Sequence, residues 1–188
     1  SPATHAIADA VVPGAEHVVA YHLIVKGESW AAADGVPPAR LSTGDIVMFP
    51  RGDEHVLSSA PGMHAERDNG AFANATRGVP KPIPVAYYGA VLQPGATMPP
   101  EEASTVVVCG FIGCDLRPFN PLIEALPRLL HQRAGGLGAW IAPMMHQAVS
   151  ESQGMRAGSA AVLERLSEMV FVDAARRYLE SLPEDASG

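Results

Sequence analysis

The sequence predicts a mainly β protein, with a small β-barrel over residues 1–116 followed by a helical subdomain over residues 117–188. The first part holds short alternating or β-branched runs between turn residues, and the chain contains 18 Gly and 17 Pro. After Cys114 the apolar period changes from two to about 3.6 residues, which is typical of helices. Hydrophobic residues make up 47% of the 188 residues, so the chain can bury a core of its own.

The first strands are predicted between residues 17 and 50. Residues 18–25 are rich in β-branched and aromatic side chains, and residues 29–33 return after a turn at Gly27. A second turn follows before a short run at residues 39–41. This order indicates an antiparallel meander.

The most informative run covers residues 44–55. Its strand, residues 46–49, is apolar on both faces, which predicts a position inside a two-layer β structure. Pro50 ends the strand because it lacks a backbone donor, and Gly52 allows a tight turn. His55 then opens the returning strand, where its side chain can point into the mouth of a barrel.

The later part of the chain alternates between loop, strand and helix. Residues 60–82 have no clear period and are predicted to form a loop over the barrel. Residues 84–92 and 104–112 predict two more strands. Helices are predicted from Asn120 to about Pro127, over residues 137–152 and over residues 158–183, the last with a wide apolar stripe.

The run 44–55 resembles the second conserved motif of the cupin superfamily, whose proteins form a double-stranded β-helix, or jelly-roll barrel. The match covers Gly44, Pro50, Gly52 and His55, while Ser59 stands where the motif usually has Asn. In that family the histidine is a metal ligand at the centre of the barrel. The resemblance therefore implies a cupin barrel with His55 directed inward.

The whole chain from about residue 17 to 182 resembles the cupin-type N-terminal effector-binding domains of AraC-like transcription regulators. The segments that carry this resemblance are residues 21–30, 44–55, 108–111, 120–127 and 162–179. It implies a domain that senses a small molecule or a metal and forms a homodimer through its C-terminal helices. DNA would be contacted only through a helix-turn-helix domain that is absent from this chain.

Four side chains are candidate metal ligands: His22, His55, Cys109 and Cys114. Ala20 occupies the place of the usual cupin glutamate, so the three-histidine, one-glutamate site of many cupins cannot form. Two imidazoles with one or two thiolates suit Zn²⁺ in tetrahedral geometry, although other divalent metals stay open. The alternative is that these His and Cys side chains are only packed in the core.

The two cysteines add a geometric condition to this hypothesis. Five positions separate them, which places them on opposite faces of an uninterrupted strand. Gly110 and Gly113 could relax that alternation through a local irregularity. The aromatic and histidine side chains that could line a ligand pocket are Trp30, Phe49, His64 and Tyr87. Core packing accounts equally well for the aromatic ones, and exposure to solvent accounts for His64.

Charge and composition narrow the functional classes. A formal net charge of −7 disfavours direct binding of nucleic acid, since phosphate neutralisation needs a basic surface. The sequence shows no apolar stretch of the roughly 20 residues that a membrane span needs, and no signal peptide. We therefore expect a cytoplasmic domain without membrane contact.

Two functions stay in view. The first is a non-enzymatic sensor and dimerisation domain of an AraC-like regulator, and the sequence favours it. The second is a stand-alone metal-dependent cupin enzyme of the dioxygenase or isomerase type, which needs an open metal coordination position. No residue is assigned a catalytic role.

Overall fold

The computed structural model describes residues 12, 14–63, 85–88, 91–94, 99, 101–114, 121–134, 143 and 157–183. The strands are β1 (His17–Lys26), β2 (Glu28–Ala33), β3 (Ala39–Ser42), β4 (Ile46–Phe49), β5 (His55–Ser58), β6 (Val85–Tyr88), β7 (Val91–Pro94), β8 (Val106–Cys114) and β9 (Leu130–Gln132). The helices are α1 (Pro121–Ala125) and α2 (Ser159–Ser181).

Strand β1 is central to the larger of the sheets. This first sheet has the order β8-β1-β4-β9, and a second, three-stranded sheet has the order β3-β2-β5. Both neighbours of β1 are antiparallel to it, and His22 lies opposite Val47 on one side and Cys109 on the other. Side chains that lie directly opposite one another point to the same face of a sheet. His22 and Cys109 therefore share a face.

One face of the first sheet packs against the second sheet. A buried cluster joins Ile24, Val47 and Phe49 of the first sheet to Ala31 and Leu41 of the second. These side chains alternate with those of the opposite face along each strand. We call the face of the first sheet that carries them the inner face.

The other face of the first sheet packs against α2. Here Tyr21, Leu23 and Met48 form a buried cluster with Leu166 and Val170 of the helix. The first sheet is thus the middle of three layers. All four residues of β4 are buried because each of its faces is covered, which confirms the prediction that this strand lies inside a layered β structure.

The described architecture is mainly β, with antiparallel sheets and a C-terminal helix, as the sequence predicted. Closure of the two facing sheets into a barrel stays a prediction. The single strand predicted over residues 84–92 is wrong, because two paired antiparallel strands, β6 and β7, cover the described residues there. Apart from residue 143, which is helical, the predicted helix over 137–152 lies outside the described residues, as does most of the predicted loop over 60–82.

Strand β9 was not predicted, and it carries the chain back into the first sheet after α1. It pairs antiparallel with β4 and is only three residues long. The buried side chain of Asp45 holds it in place: Oδ2 accepts from His131 Nε2 at 3.1 Å, and Oδ1 accepts from the Ala134 backbone N–H at 2.9 Å. The same Oδ2 accepts from the Ser42 backbone N–H. One carboxylate thus joins a tight turn of the β region to the segment beyond residue 117.

The turn after β4 has the geometry that its sequence predicts. Gly52 has φ 70°, in the left-handed region that favours glycine, and its N–H donates to Phe49 O at 3.1 Å. This turn delivers His55 to the start of β5. Within the part of the chain described, no helix has the length and apolar character needed to span a membrane.

Candidate functional site

Three of the four predicted metal ligands meet between the two sheets. His22 comes from the middle of β1, Cys109 from the adjacent position of β8, and His55 from the first residue of β5 in the second sheet. His22 Nδ1 lies 3.0 Å from Cys109 Sγ, and His22 Nε2 lies 2.7 Å from His55 Nε2. Side chains from both layers therefore make direct polar contacts.

The direction of each hydrogen bond in this cluster can be assigned by starting from the backbone carbonyl of Asp53, which can only accept. His55 Nδ1 lies 2.9 Å from the Asp53 carbonyl oxygen, which can only accept, so Nδ1 carries the proton. In a neutral ring, His55 Nε2 is then an acceptor, and His22 Nε2–H donates to it. His22 Nδ1 is left as the acceptor of the Cys109 S–H. We call this directed series the thiol–imidazole chain.

The pKa values agree with a chain of neutral groups. Burial, and then the nearby His55, hold the pKa of His22 well below its ordinary value. Burial also lowers the pKa of His55, against a smaller opposing effect of Asp53. Burial raises the pKa of the Cys109 thiol to about 12. At neutral pH the imidazoles are uncharged and the thiol keeps its proton, so Cys109 is not an activated nucleophile.

Cys109 differs from its two partners in accessibility. It is exposed by surface area, although enough protein surrounds its sulfur for burial to raise the pKa. His22, in contrast, is only 6% exposed. Both observations on Cys109 fit a residue that solvent reaches although protein encloses much of its sulfur. The thiol end of the chain is therefore the end that a small molecule can reach.

Phe49 fixes the orientation of the second histidine. Its ring stacks on His55 with a centroid separation of 3.8 Å and an interplanar angle of 9°, and it meets His22 edge-on at 6.1 Å. Phe49 is fully buried. It packs against both imidazoles in the buried space between the sheets and does not reach solvent.

Asp53 and Arg128 form a support that the sequence analysis did not identify. The Arg128 guanidinium donates to Asp53 Oδ1 at 2.7 and 3.1 Å, and the Asp53 carbonyl accepts from His55. Arg51, in the same turn, donates to the carbonyls of Glu124 and Leu126 at the end of α1. The turn that carries His55 is thus attached to the segment that leads into β9. Because these pairs are more than 70 residues apart, no local sequence signal could have revealed them.

Two further predicted site residues, Cys114 and Trp30, lie away from the cluster. Cys114 ends β8 opposite His17, and it alternates in phase with Ile112, which packs on the helix side of the sheet. Trp30 alternates with Ala31, a residue of the inner cluster, and so lies on the outer side of the second sheet. His64 lies outside the described residues, and the Tyr87 side chain is also not described.

The cluster as it stands does not fit one shared zinc ion. Two nitrogen ligands of a tetrahedral Zn²⁺ are about 3.3 Å apart, given bonds of about 2.0–2.1 Å, whereas the two Nε2 atoms are 2.7 Å apart. Moreover, His22 faces His55 and Cys109 with different ring nitrogens, which point in divergent directions. Among the described residues, no group of three or more His, Cys, Asp or Glu is arranged to hold a metal. Zinc binding through His22, His55 and Cys109 would require side chains to rotate, and Cys114 lies on the other face of the sheet. Zinc binding stays a prediction.

Facing antiparallel β layers with histidines between them define a layered, mainly β protein, and comparison with protein families identifies its family. A family model described as Cupin matches residues 2–180, which is nearly the whole chain. The chain belongs to the cupin family. No curated protein and no solved structure matches the chain at a significant level.

Proposed function

We propose that this chain is the ligand-sensing and dimerisation domain of an AraC-type transcription regulator. The cupin family model that it matches is typical of such regulators, and the order of strands and helices resembles theirs. The observation that carries the proposal is the thiol–imidazole chain, which lies between the layers and ends at the exposed residue Cys109. A closed cupin barrel around this chain is part of the proposal.

The chemistry of the cluster supports binding over catalysis. Its imidazoles are held neutral and bonded to one another, and its thiol is protonated, so no group is prepared to act as base or nucleophile. These groups suit an uncharged effector that makes hydrogen bonds and apolar contacts. The competing proposal is a metal-dependent cupin enzyme, for which the same residues would have to rotate into a coordination sphere.

A dimer would form through the exposed face of α2. Four large apolar side chains are exposed there, at 41–62% of their surface: Val162, Met169, Val172 and Leu179. Their positions lie along one side of the helix, which the exposed Arg165 and Arg176 share, and Val162 borders the row of the buried Leu166 and Val170. Such a set of exposed apolar side chains on one helix is typical of an interaction surface. We call it the α2 seam.

The spacing of the α2 seam favours a second copy as its partner. The intervals between its residues are seven, three and seven, so the seam reads the same from either end. In an antiparallel pair, Met169 would meet the partner's Val172, and Val162 would meet the partner's Leu179. Arg165 and Arg176 lie on this same face, between the apolar positions, so in the antiparallel pair Arg165 would meet the partner's Arg176. Each arginine carries its own ion-pair partner on the helix, Glu168 at 2.7 Å and Glu180 at 2.8 Å. Two-fold symmetry requires this kind of self-complementary surface.

DNA binding would belong to a separate segment. The formal net charge of −7 makes this chain a poor ligand for phosphates, whereas it is compatible with a sensor joined to a DNA reader. The proposed effector is a small molecule, and the proposed location is the cytoplasm. Zn²⁺ or another divalent metal remains a possible effector or structural ion that a metal assay decides.

A thermal-shift screen tests the sensor proposal. Uncharged small molecules and Zn²⁺ are tested against the wild-type chain and His22→Gln. We expect at least one compound to stabilise the wild type by about 2–3 kcal/mol at 100 times its Kd, with little effect on the variant. Equal stabilisation of both proteins would place the binding elsewhere. Consumption of the compound by the wild type alone would favour the enzyme.

Sedimentation equilibrium tests the dimer independently. Val172→Glu inserts charge into the centre of the α2 seam and should convert the dimer to a monomer. The matched control is Glu164→Lys, which changes an exposed charge on the same helix outside the seam. A wild-type chain that is monomeric at tens of micromolar would refute the dimer proposal.

A further inference from the structure

We propose that Tyr21 is a positioning residue that couples the thiol–imidazole chain to helix α2. Tyr21 and His22 are adjacent in β1, and the strand sends their side chains to opposite faces of the first sheet. His22 faces the candidate site, while Tyr21 faces α2. The inference rests on the proposed sensor function, and it names the route by which occupancy of the site would reach the helix.

The two faces are joined by consecutive pairs of the β1–β8 ladder. His22 lies opposite Cys109, and the next pair is Tyr21 opposite Gly110. The first pair makes the polar contact between imidazole and thiol, and the second pair places the tyrosine ring over a glycine. A Cβ at Gly110 would overlap that ring. A shift of the β8 backbone at Cys109 therefore also moves Gly110, against which the Tyr21 ring packs.

A directed hydrogen bond connects Tyr21 to the helix. Ser167 Oγ–H donates to the Leu163 carbonyl within α2 at 2.8 Å, so its oxygen must accept from the Tyr21 hydroxyl at 2.6 Å. This bond lies at the margin of the buried cluster that includes Leu166 and Val170. It fixes the position of α2 along the strand more narrowly than apolar packing does, because a hydrogen bond has a short range and a preferred angle.

The opposite side of α2 carries the seam. Ser167 is two residues before Met169 in sequence, and Leu166 and Val170 lie on the buried side of the same turns. A change in how Tyr21 holds this part of the helix would reposition the centre of the α2 seam. Effector binding at Cys109 could thereby alter the pairing of two copies. Such regulation requires that the effector favour one arrangement over the other.

Hydrogen exchange in a double-mutant cycle tests the coupling without an effector. Cys109→Leu introduces a branched group against His22 and stands in for an occupied site. We expect it to change the exchange rates of amides 163–170 by about threefold to tenfold with Tyr21 present. With Tyr21→Phe, the same substitution should change them by less than about twofold.

The controls separate this route from general loosening of the fold. Ser167→Ala removes the acceptor and should reproduce the effect of Tyr21→Phe. Ser181→Ala is the matched control, since that hydroxyl donates only within α2, to the Tyr178 carbonyl, and it should leave the response intact. If Cys109→Leu does not fold, Cys109→Ser provides a smaller perturbation of the same contact.

Two results would overturn the inference: an equal response with and without the Tyr21 hydroxyl, or no response in either background. Neither result bears on whether the chain binds an effector, because no effector is present, and dimerisation is tested separately by sedimentation. Conversely, a monomeric chain would contradict the proposed dimer but would not decide whether Tyr21 couples the thiol–imidazole chain to α2.

Discussion

Acidification should destabilise this protein through its buried histidines, and the size of the effect can be worked out for His22. The pKa of His22 is held well below 6.5 in the folded chain, whereas it returns to about 6.5 on unfolding. Between these values the unfolded state binds more protons, so the free energy of unfolding falls as the pH falls. If folded His22 stays neutral at pH 5.5, it lowers the free energy of unfolding by about 1.4 kcal/mol between pH 7.5 and pH 5.5.

The neighbouring His55 contributes with the same sign, since burial lowers its pKa as well. The assay is urea denaturation at pH 7.5 and pH 5.5, followed by circular dichroism. His22→Gln should be less stable at pH 7.5 but lose about 1.4 kcal/mol less than the wild type on acidification. Val47→Ala is the control. It shortens the side chain opposite His22 and removes no titrating group, so it should keep the wild-type pH dependence.

A pH dependence that is identical in the wild type and in His22→Gln would refute this reasoning. It would mean that His22 gains a proton in the folded chain as readily as in the unfolded one. In that case the directed thiol–imidazole chain would break below about pH 6.5, because the protonated His22 Nδ1 would be a donor to Cys109 and not an acceptor.

Three further predictions concern packing, polar contacts and metal. Gly110→Ala should destabilise the fold by about 1–3 kcal/mol in urea denaturation because the new methyl group overlaps the Tyr21 ring, and a smaller side chain at position 21 should recover part of the loss. Asp45→Ala should cost about 1–3 kcal/mol by the same measurement, since it leaves the Ser42 and Ala134 N–H groups without this acceptor, whereas equal stability would show that solvent replaces it. Plasma mass spectrometry of the purified chain should find about one zinc per chain if the cluster rotates to bind metal, and a metal-free chain whose stability zinc does not change would refute the zinc hypothesis.

The β4 region shows how far local sequence can predict this fold. Alternation made both faces of residues 46–49 apolar, and the structure covers one face with a sheet and the other with a helix. Pro50 and Gly52 indicated the turn, and the structure places His55 directly after it. These features could be predicted because each depends on the backbone preferences of a few consecutive residues.

The unpredicted features depend on contacts between distant segments. Strand β9 has three residues and is stabilised by β4 and by the carboxylate of Asp45, so its own sequence carries little signal. The Asp53–Arg128 pair likewise joins positions 75 residues apart. For the candidate site, the residue types were identified, but the shared use of both His22 ring nitrogens could be seen only from coordinates.

The series of donors that begins at the Cys109 sulfur terminates on a main-chain oxygen, that of Asp53. Every amino acid has this backbone oxygen. The tautomers of both imidazoles therefore depend on the backbone conformation of the turn and not on the side chain at position 53. Mutational scanning at that position would therefore report on the anchorage of the turn by Arg128, and the proton arrangement would persist for as long as the turn keeps its shape.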